Sequence, residues 1–378
     1  MKQISNFQLF CILLNLTAIT GFVLYPNTLA IHGGNNAWLA SLLAIVPGIM
    51  LVYLYLYILK KSSRPFPLLL EDCCGKIVGK FLGLLYSLMF FVAAAVTLDV
   101  FVNFIESNVL PNTPISVFVG GMIVASFYTV RKGLQTLARM TELAAIIVAT
   151  FTLFILLTVL TQGADIRNLL PIGQVKIEQF AIAWFESFYS LGYIMVILVL
   201  AFYSSARKDV GSTAIKAMLT YIFYITLACI VSIVVIGVYH STYLTYPTFI
   251  LTRRITIGEF IQNIDAVFIA LWTLAIYSAI AILWFLSCYV LQKTLALKDY
   301  RFLAGPQTVI LGIGSLMVAP NIVALRYINQ YIFPLIHFAF FVVIPIIIAI
   351  ILIFKPVPAN NGLTSPLIDQ NQLEEPVN

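Results

Sequence analysis

The sequence predicts an all-α integral membrane protein, with about ten transmembrane helices in a 5+5 inverted-repeat bundle. Three observations carry this prediction. The 378 residues are 61% hydrophobic and only 10% charged, with a mean hydropathy of +1.02. A soluble chain would be roughly 25% charged and could not hide so much apolar surface in one core. Ten apolar runs fill nearly the whole chain, and the basic residues are divided unevenly between the loops that join them. The composition excludes a soluble enzyme, a disordered protein and a nucleic-acid binder, which would need a clustered basic face.

A spanning helix needs about 20 mostly apolar residues. Such runs lie at about 7–31, 38–59, 81–106, 114–130, 142–162, 180–203, 213–239, 264–291, 304–322 and 331–354. The first run is too long for the core of a signal peptide and reads as a retained span. No segments of about ten alternating residues suggest a β-barrel. All but five of the 21 Lys and Arg residues fall on one side. The exceptions are Arg167, Lys176, Arg253, Arg254 and Arg326. By the positive-inside rule both termini are then cytoplasmic. Residues 1–355 form a single bundle, and 356–378 form a polar cytoplasmic tail expected to be disordered. An odd number of spans per half, about 7–162 and about 180–354, inverts the second half. That is the arithmetic of many secondary transporters.

In such folds the first helix of each half is interrupted near the midplane, where the ligand binds. Span 1 carries Thr17-Ala18-Ile19-Thr20-Gly21 and then Tyr25-Pro26. Gly21 permits unwinding, and Pro26 removes a donor and crowds the preceding turn. Span 6 has Gly192 near its middle and no proline, so a local loosening competes there with a true break.

Intramembrane carboxylates face the bundle interior or a cavity. Asp99 in span 3 and Glu186 in span 6 each lie about five residues, or roughly 7–8 Å, outward of the centre of their span. Asp99, Asn103 and Glu106 make a polar stripe toward the outer surface. Asp265 and Glu142 open spans 8 and 5, where the helix dipole favours an acid. By these boundaries Lys216, near the cytoplasmic start of span 7, is the one Lys or Arg inside a span. His32, His240 and His337 are isolated and read as structural, and no metal site, cofactor site or catalytic arrangement is visible. The five cysteines lack metal-type spacing and read as free. Tyr53, Tyr55 and Tyr57 read as interface anchors. The 240–263 loop breaks the charge rule with Arg253-Arg254 and carries apolar residues around Pro247. One or two short helices over 247–261 are expected to cap the outer vestibule, with the arginines paired to acids such as Glu106.

Several motifs resemble a known family, the B subunits of GerA-type germinant receptors of endospore-forming bacteria. These are Ile4-Ser5-Asn6-Phe7-Gln8-Leu9-Phe10, Gly33-Gly34-Asn35-Asn36-Ala37-Trp38-Leu39, Leu110-Pro111-Asn112-Thr113-Pro114, and Gly133-Leu134-Gln135-Thr136-Leu137-Ala138-Arg139 with Glu142. Tyr246-Pro247-Thr248, Ile255-Thr256-Ile257-Gly258-Glu259-Phe260, Leu271-Trp272 and Leu297-Lys298-Asp299-Tyr300-Arg301 with Pro306 extend the likeness over about residues 4–325. The chain departs from the family at Asn36, where many members have an acid. It departs again at Asn263, where many have an arginine that would pair with Asp265. Before Glu186 the usual Pro-Gly break is absent.

The resemblance implies a spore germination permease, related to amino-acid permeases and LeuT-like in fold. It implies recognition of a small nutrient germinant, an amino acid first, in the inner membrane of the spore. Implied partners are a membrane A subunit and a C-subunit lipoprotein. The expected ligand set is Thr20, Gly21, Tyr25, Asp99, Glu186, Tyr189, Trp272 and Thr273, with helix breaks at Gly21, Pro26 and Gly192. The alternatives are an active amino-acid or amine secondary transporter, with or without ion coupling, and a scaffold.

Overall fold

The computed structural model describes residues 3–18, 21–62, 64–255, 264–319 and 321–354. Its regular elements in this range are helices, joined by turns and loops, with one isolated bridge between Ile4 and Ser204. Span 1 comprises α1 (Asn6–Ala18) and α2 (Gly21–Gly33), and span 2 comprises α3 (Ala37–Leu43) and α4 (Ile45–Lys61). A short α5 (Phe66–Cys74) follows, then the spanning helices α6 (Lys76–Asn108), α7 (Ile115–Lys132) and α8 (Leu134–Leu160). Span 6 runs through α9 (Ile177–Ser190), a 3-10 stretch Leu191–Met195 and α10 (Val196–Leu200). Span 7 is α11 (Val210–Ile236), and two short helices, α12 (Val238–Tyr243) and α13 (Pro247–Arg253), follow it. Spans 8 and 9 are α14 (Ile264–Thr294) and α15 (Arg301–Val318). Span 10 strings together α16 (Ile322–Tyr327), α17 (Phe333–Phe338) and α18 (Ile344–Phe354).

Among the described residues nine helical runs are long and apolar enough to cross a membrane, and α1 is a shorter apolar helix. One of the nine, Leu24–Lys61, contains parts of two predicted spans. The chain turns within it at Gly34–Asn36, where Gly34 has φ 54°, a conformation that favours glycine. Divided there, and with α1 joined to α2, the runs make the ten crossings expected.

Asn36 closes the turn at Gly34. Its side chain is buried, its Nδ2 donates to Pro171 O at 3.3 Å, and its Oδ1 accepts from Gly173 N at 2.8 Å. A carboxylate could do only the second.

Pro26 lies inside α2, so the helix runs on past it and Pro26 is not a break. A membrane helix tolerates proline where neighbours satisfy the freed groups. α1 ends at Ala18 and α2 begins at Gly21, and Thr20 lies outside the described residues. Gly192 sits in the 3-10 stretch of an otherwise continuous span 6, so the helix tightens there and does not separate. Its close neighbour is Phe341: a Cβ on Gly192 would stand 2.3 Å from the Phe341 ring.

Span 10 holds the prolines that do change the helix. π-helical turns at Ile328–Ile332 and Ala339–Val343 end two residues before Pro334 and Pro345. Proline lacks a donor and its ring clashes with the carbonyl four residues back, and a wider turn relieves both. Tyr55, expected at the lipid interface, is instead fully buried, and its hydroxyl donates to Phe341 O at 2.6 Å. That carbonyl lies in the second π turn, where the ladder is loosened.

The basic end of the bundle is closed around the N-terminal segment. Ile4 N donates to Tyr203 O at 2.8 Å, Ser205 N donates to Ile4 O at 2.9 Å, and Asn6 Nδ2 donates to Ala206 O at 3.0 Å. Gln8 Nε2 donates to Glu142 at 3.0 Å, so Glu142 ties α1 to α8 as well as opening span 5.

Gly192→Ala is expected to destabilise the protein by about 1–3 kcal/mol, because an added methyl must displace the buried Phe341. Gly120→Ala, where a Cβ meets nothing within 4 Å, serves as the comparison. Thermal unfolding of the two variants in detergent checks this, and equal midpoints would refute it.

Candidate functional site

A cleft with about 870 Å³ of space lies at the end of the bundle opposite the basic end. Its walls come from α2, α9 with the 3-10 stretch after it, the α12–α13 connection, and the start of span 10. Tyr25, Glu186 and Tyr189 line it together, with Tyr193, Arg326 and His337. Tyr25 and Tyr189 meet edge to face at 6.0 Å and fix one wall.

Glu186 is the electrostatic centre of this cleft. It is 3% exposed, its Oε1 lies 3.9 Å from His32 Nε2, and its Oε2 is buried with no hydrogen-bond partner among the described residues. His32 in turn meets Gln330 Nε2 at 3.0 Å. His32 therefore stands behind the cleft wall, against Glu186 and Gln330, and is not an isolated interfacial residue. A buried carboxylate oxygen without a partner is costly; Asp99 Oδ2 also lacks one among the described residues, but of the two acids only Glu186 lines the cleft.

Arg326 stands four residues before Gln330 and has a buried Nη2 that also lacks a partner among the described residues. Span 10 begins at residue 322, not near 331, so a cation does lie inside a spanning helix. The signal was present in the sequence as Arg326, Asn329 and Gln330 at i, i+3, i+4, a polar face at the start of an apolar run.

His337, read as structural, also lines the cleft. Its Nδ1 contacts Phe333 O at 2.9 Å, and its Nε2 contacts Tyr193 OH at 3.0 Å. A carbonyl only accepts, so Nδ1 carries the proton and neutral Nε2 accepts from Tyr193.

The remaining expected residues go elsewhere. Asp99 is 5% exposed and accepts from Asn103 Nδ2 at 2.9 Å, closing an i, i+4 pair on its own helix. It does not line the cleft, although Val100 beside it does. Trp272 lines a separate, mostly apolar cavity with Asn15 and Tyr224, and packs on Phe104 at 4.5 Å. Thr273 turns its hydroxyl back to Ile269 O at 2.7 Å and lines neither cavity. Gly21 opens α2.

The α12–α13 connection covers one side of the cleft. Gly237, at φ 84°, turns the chain from α11 into α12, and Asn27 Nδ2 then ties α2 to the carbonyls of Ser241 and Thr242 at 2.8 and 2.9 Å. Pro247 opens α13 in the first-turn position proline suits. Phe249 is fully buried against Phe104 at 5.0 Å, so this helix rests on protein. Residues 256–261 of the expected cap lie outside the described residues. Arg253 does not reach Glu106. It pairs with Asp265 at 3.3 Å, because α13 ends beside the start of α14. Arg254 Nη1 donates to Val235 O at 3.1 Å. Tyr246, on the cleft wall, has a buried hydroxyl without a partner among the described residues, and burial pushes its phenol above the usual range, so it stays neutral.

Over residues 3–323 the chain matches the family described as Spore germination protein. It is 25% identical over 361 residues to spore germination protein KB of Bacillus subtilis (strain 168), covering 93% of this chain and 95% of that one. It is 28% identical over 247 residues to spore germination protein YfkT of the same organism, covering 65% and 67%. Among solved structures it resembles that of MhsT in complex with L-phenylalanine, with a TM-score of 0.63, 13% identity, and 94% and 100% of the two chains covered. The fold is the LeuT-like five-plus-five transporter bundle.

A cysteine at Phe249 is expected to react with a membrane-impermeant thiol reagent at least about tenfold more slowly than one at Tyr239, which is 69% exposed on the same connection. Equal labelling rates in the unliganded protein would show that α13 does not rest on the bundle.

Proposed function

This chain belongs to the spore germination protein family, and we propose that it is the nutrient-recognition subunit of a germinant receptor, a transporter-like bundle that binds a free amino acid. One observation carries the choice of ligand. The same cleft presents a buried carboxylate oxygen of Glu186 and a buried guanidinium nitrogen of Arg326, both unpartnered among the described residues. An α-amino acid carries the complementary pair, an ammonium for Glu186 and a carboxylate for Arg326. Charge-assisted hydrogen bonds are the strong ones, and leaving either partner unpaired in a buried site is costly. Tyr25, Tyr189 and Tyr246 supply apolar faces for a side chain.

In this reading the chain works as one bundle in the inner spore membrane, with both termini and the 356–378 tail on the cytoplasmic side. The halves at about 7–162 and 180–354 move against each other around the ligand. A membrane A subunit and a lipoprotein C subunit receive the change.

Purified protein tested against a panel of L-amino acids is expected to show a rise in melting temperature with at least one of them. At 100 times Kd that rise corresponds to about 2.7 kcal/mol. Glu186→Gln should weaken binding of the amino acid about ten- to a hundredfold, and of its decarboxylated amine equally. Arg326→Gln should weaken the amino acid by a similar factor and leave the amine unchanged. No response to any amino acid would refute the reading. Substrate-specific uptake into proteoliposomes would make the chain a transporter instead.

A further inference from the structure

A second cavity, with about 980 Å³ of space, opens at the basic end of the bundle between the end of α4 and the start of α11. Its walls are apolar: Leu56 and Leu59 on α4, and Phe202, Val210 and Gly211 opposite. Its rim is basic, formed by Lys60, Arg207 and Lys208. None of the three cations has an ion-pair partner among the described residues. Asp209 lies next in sequence but does not line the cavity. Arg207 is set in place by two contacts, a hydrogen bond from Nη2 to Phe202 O at 3.2 Å and a guanidinium stacked 4.8 Å over the Phe202 ring.

The outer face of α4 leads to this rim. Val46, Met50 and Tyr53 are 63%, 68% and 60% exposed, and with Tyr57 and Lys60 they follow alternating spacings of four and three residues. That spacing places them on one stripe of the helix. In a membrane the apolar part of such a stripe faces acyl chains, and Lys60 sits where it reaches the headgroup level. At the foot of the cavity α4 and α11 touch, since a Cβ on Gly211 would stand 2.8 Å from Leu56. The cavity is thus walled between two helices and open beside a lipid-facing stripe.

We propose that this cavity binds the phosphate headgroup of an anionic glycerophospholipid, with Lys60, Arg207 and Lys208 around the phosphate and an acyl chain laid along the α4 stripe. The occupant must be both anionic and amphipathic. Three unpaired cations select the phosphate, and the leucine and phenylalanine walls contact the glycerol and first methylenes. Basic pockets between helices at the membrane surface are suited to this chemistry. The site is remote from the amino-acid cleft and does not depend on the function proposed for it.

Native mass spectrometry of the purified full-length protein tests the proposal, with phosphatidylglycerol, phosphatidylcholine or glycerol 3-phosphate added. Wild type should retain phosphatidylglycerol and release phosphatidylcholine. Lys60 and Lys208 are exposed, so K60Q/K208Q leaves packing intact, and it should retain phosphatidylglycerol at least about fivefold less well. R207Q should weaken retention similarly. K132Q/R139Q removes two exposed charges at the same end but outside the cavity, and should retain the lipid as wild type does. Equal losses in K60Q/K208Q and K132Q/R139Q would overturn the proposal in favour of bulk charge attraction. Displacement of the lipid by equimolar glycerol 3-phosphate would overturn it in favour of a soluble-phosphate site.

Discussion

In hydrocarbon every backbone donor and acceptor must be satisfied within the chain, so a spanning helix can deviate from α geometry only where protein surrounds it. That constraint organises this molecule. The irregular stretch of span 6 is enclosed on every side: Leu191 to Leu200 are all buried. The last turn of α1 is likewise buried, and Thr17 Oγ1 contacts the carbonyls of Leu13 and Leu14 at 2.9 and 3.0 Å. Asn15 Nδ2 reaches across to Ala275 O and Ser278 Oγ on α14. The second π turn of span 10 is answered by two tyrosines from other spans. Tyr55 donates to Phe341 O, and Tyr86 donates to Phe340 O at 2.6 Å. The interrupted and loosened helices are therefore gathered together, and the cleft lies among them.

The same logic governs the charges. A carboxylate and a guanidinium in one low-dielectric cleft are each expensive alone. Direct pairing would quench both and leave nothing for a ligand. The fold holds Glu186 on α9 beside His32, while Arg326 is carried on another helix beside Tyr246. Each retains an unpartnered atom, and the cleft between them is polar at its ends and aromatic along its walls. In the function proposed above, a ligand bound between them would replace the missing interactions and supply what the packing withholds.

Much of this was legible in the sequence. The spans, their number and the basic end follow from hydropathy and charge, which report directly on transfer into lipid. Glu186 was legible because a carboxylate in an apolar run has few places to go. Tyr25 and Tyr189 were placed beside it by span 1 and span 6 lying together. Asp99 was not separable from Glu186 by the same argument: each keeps one buried oxygen without a partner among the described residues, and the two differ in that Glu186 lines the cleft and Asp99 does not. Arg326 was missed because hydropathy places the start of span 10 after its polar first turns. The pairing of Arg253 with Asp265 was obscured because the connection folds α13 back to the start of α14, a tertiary fact. Tyr55 shows the limit of periodicity: alternating tyrosines look alike in sequence, but a helix turns them to different neighbours.

A transporter must open both ends of its cleft in turn, whereas a sensor needs only a ligand-dependent change at one. The two ends of this bundle are built differently. The basic end is closed by backbone hydrogen bonds between Ile4 and residues 203–205, reinforced by Asn6 to Ala206 and Gln8 to Glu142. The Ile4 and Asn6 bonds join the start of span 1 to the end of span 6, the first span of the other half, while Gln8 to Glu142 ties span 1 to span 5 within its own half; opening that end would expose several backbone groups at once. The opposite end is covered by short helices held through side chains: Asn27 to the α12 carbonyls, Arg253 to Asp265, and Phe249 buried against Phe104. An exposed ion pair of the second kind contributes about 0–1 kcal/mol. Shifting that cover breaks side-chain contacts and, among the described residues, no backbone pairing between the halves, and it requires a ligand whose differential affinity exceeds the cost of unseating Phe249. This asymmetry favours a bundle that closes over its ligand from one side and passes the change laterally to partners.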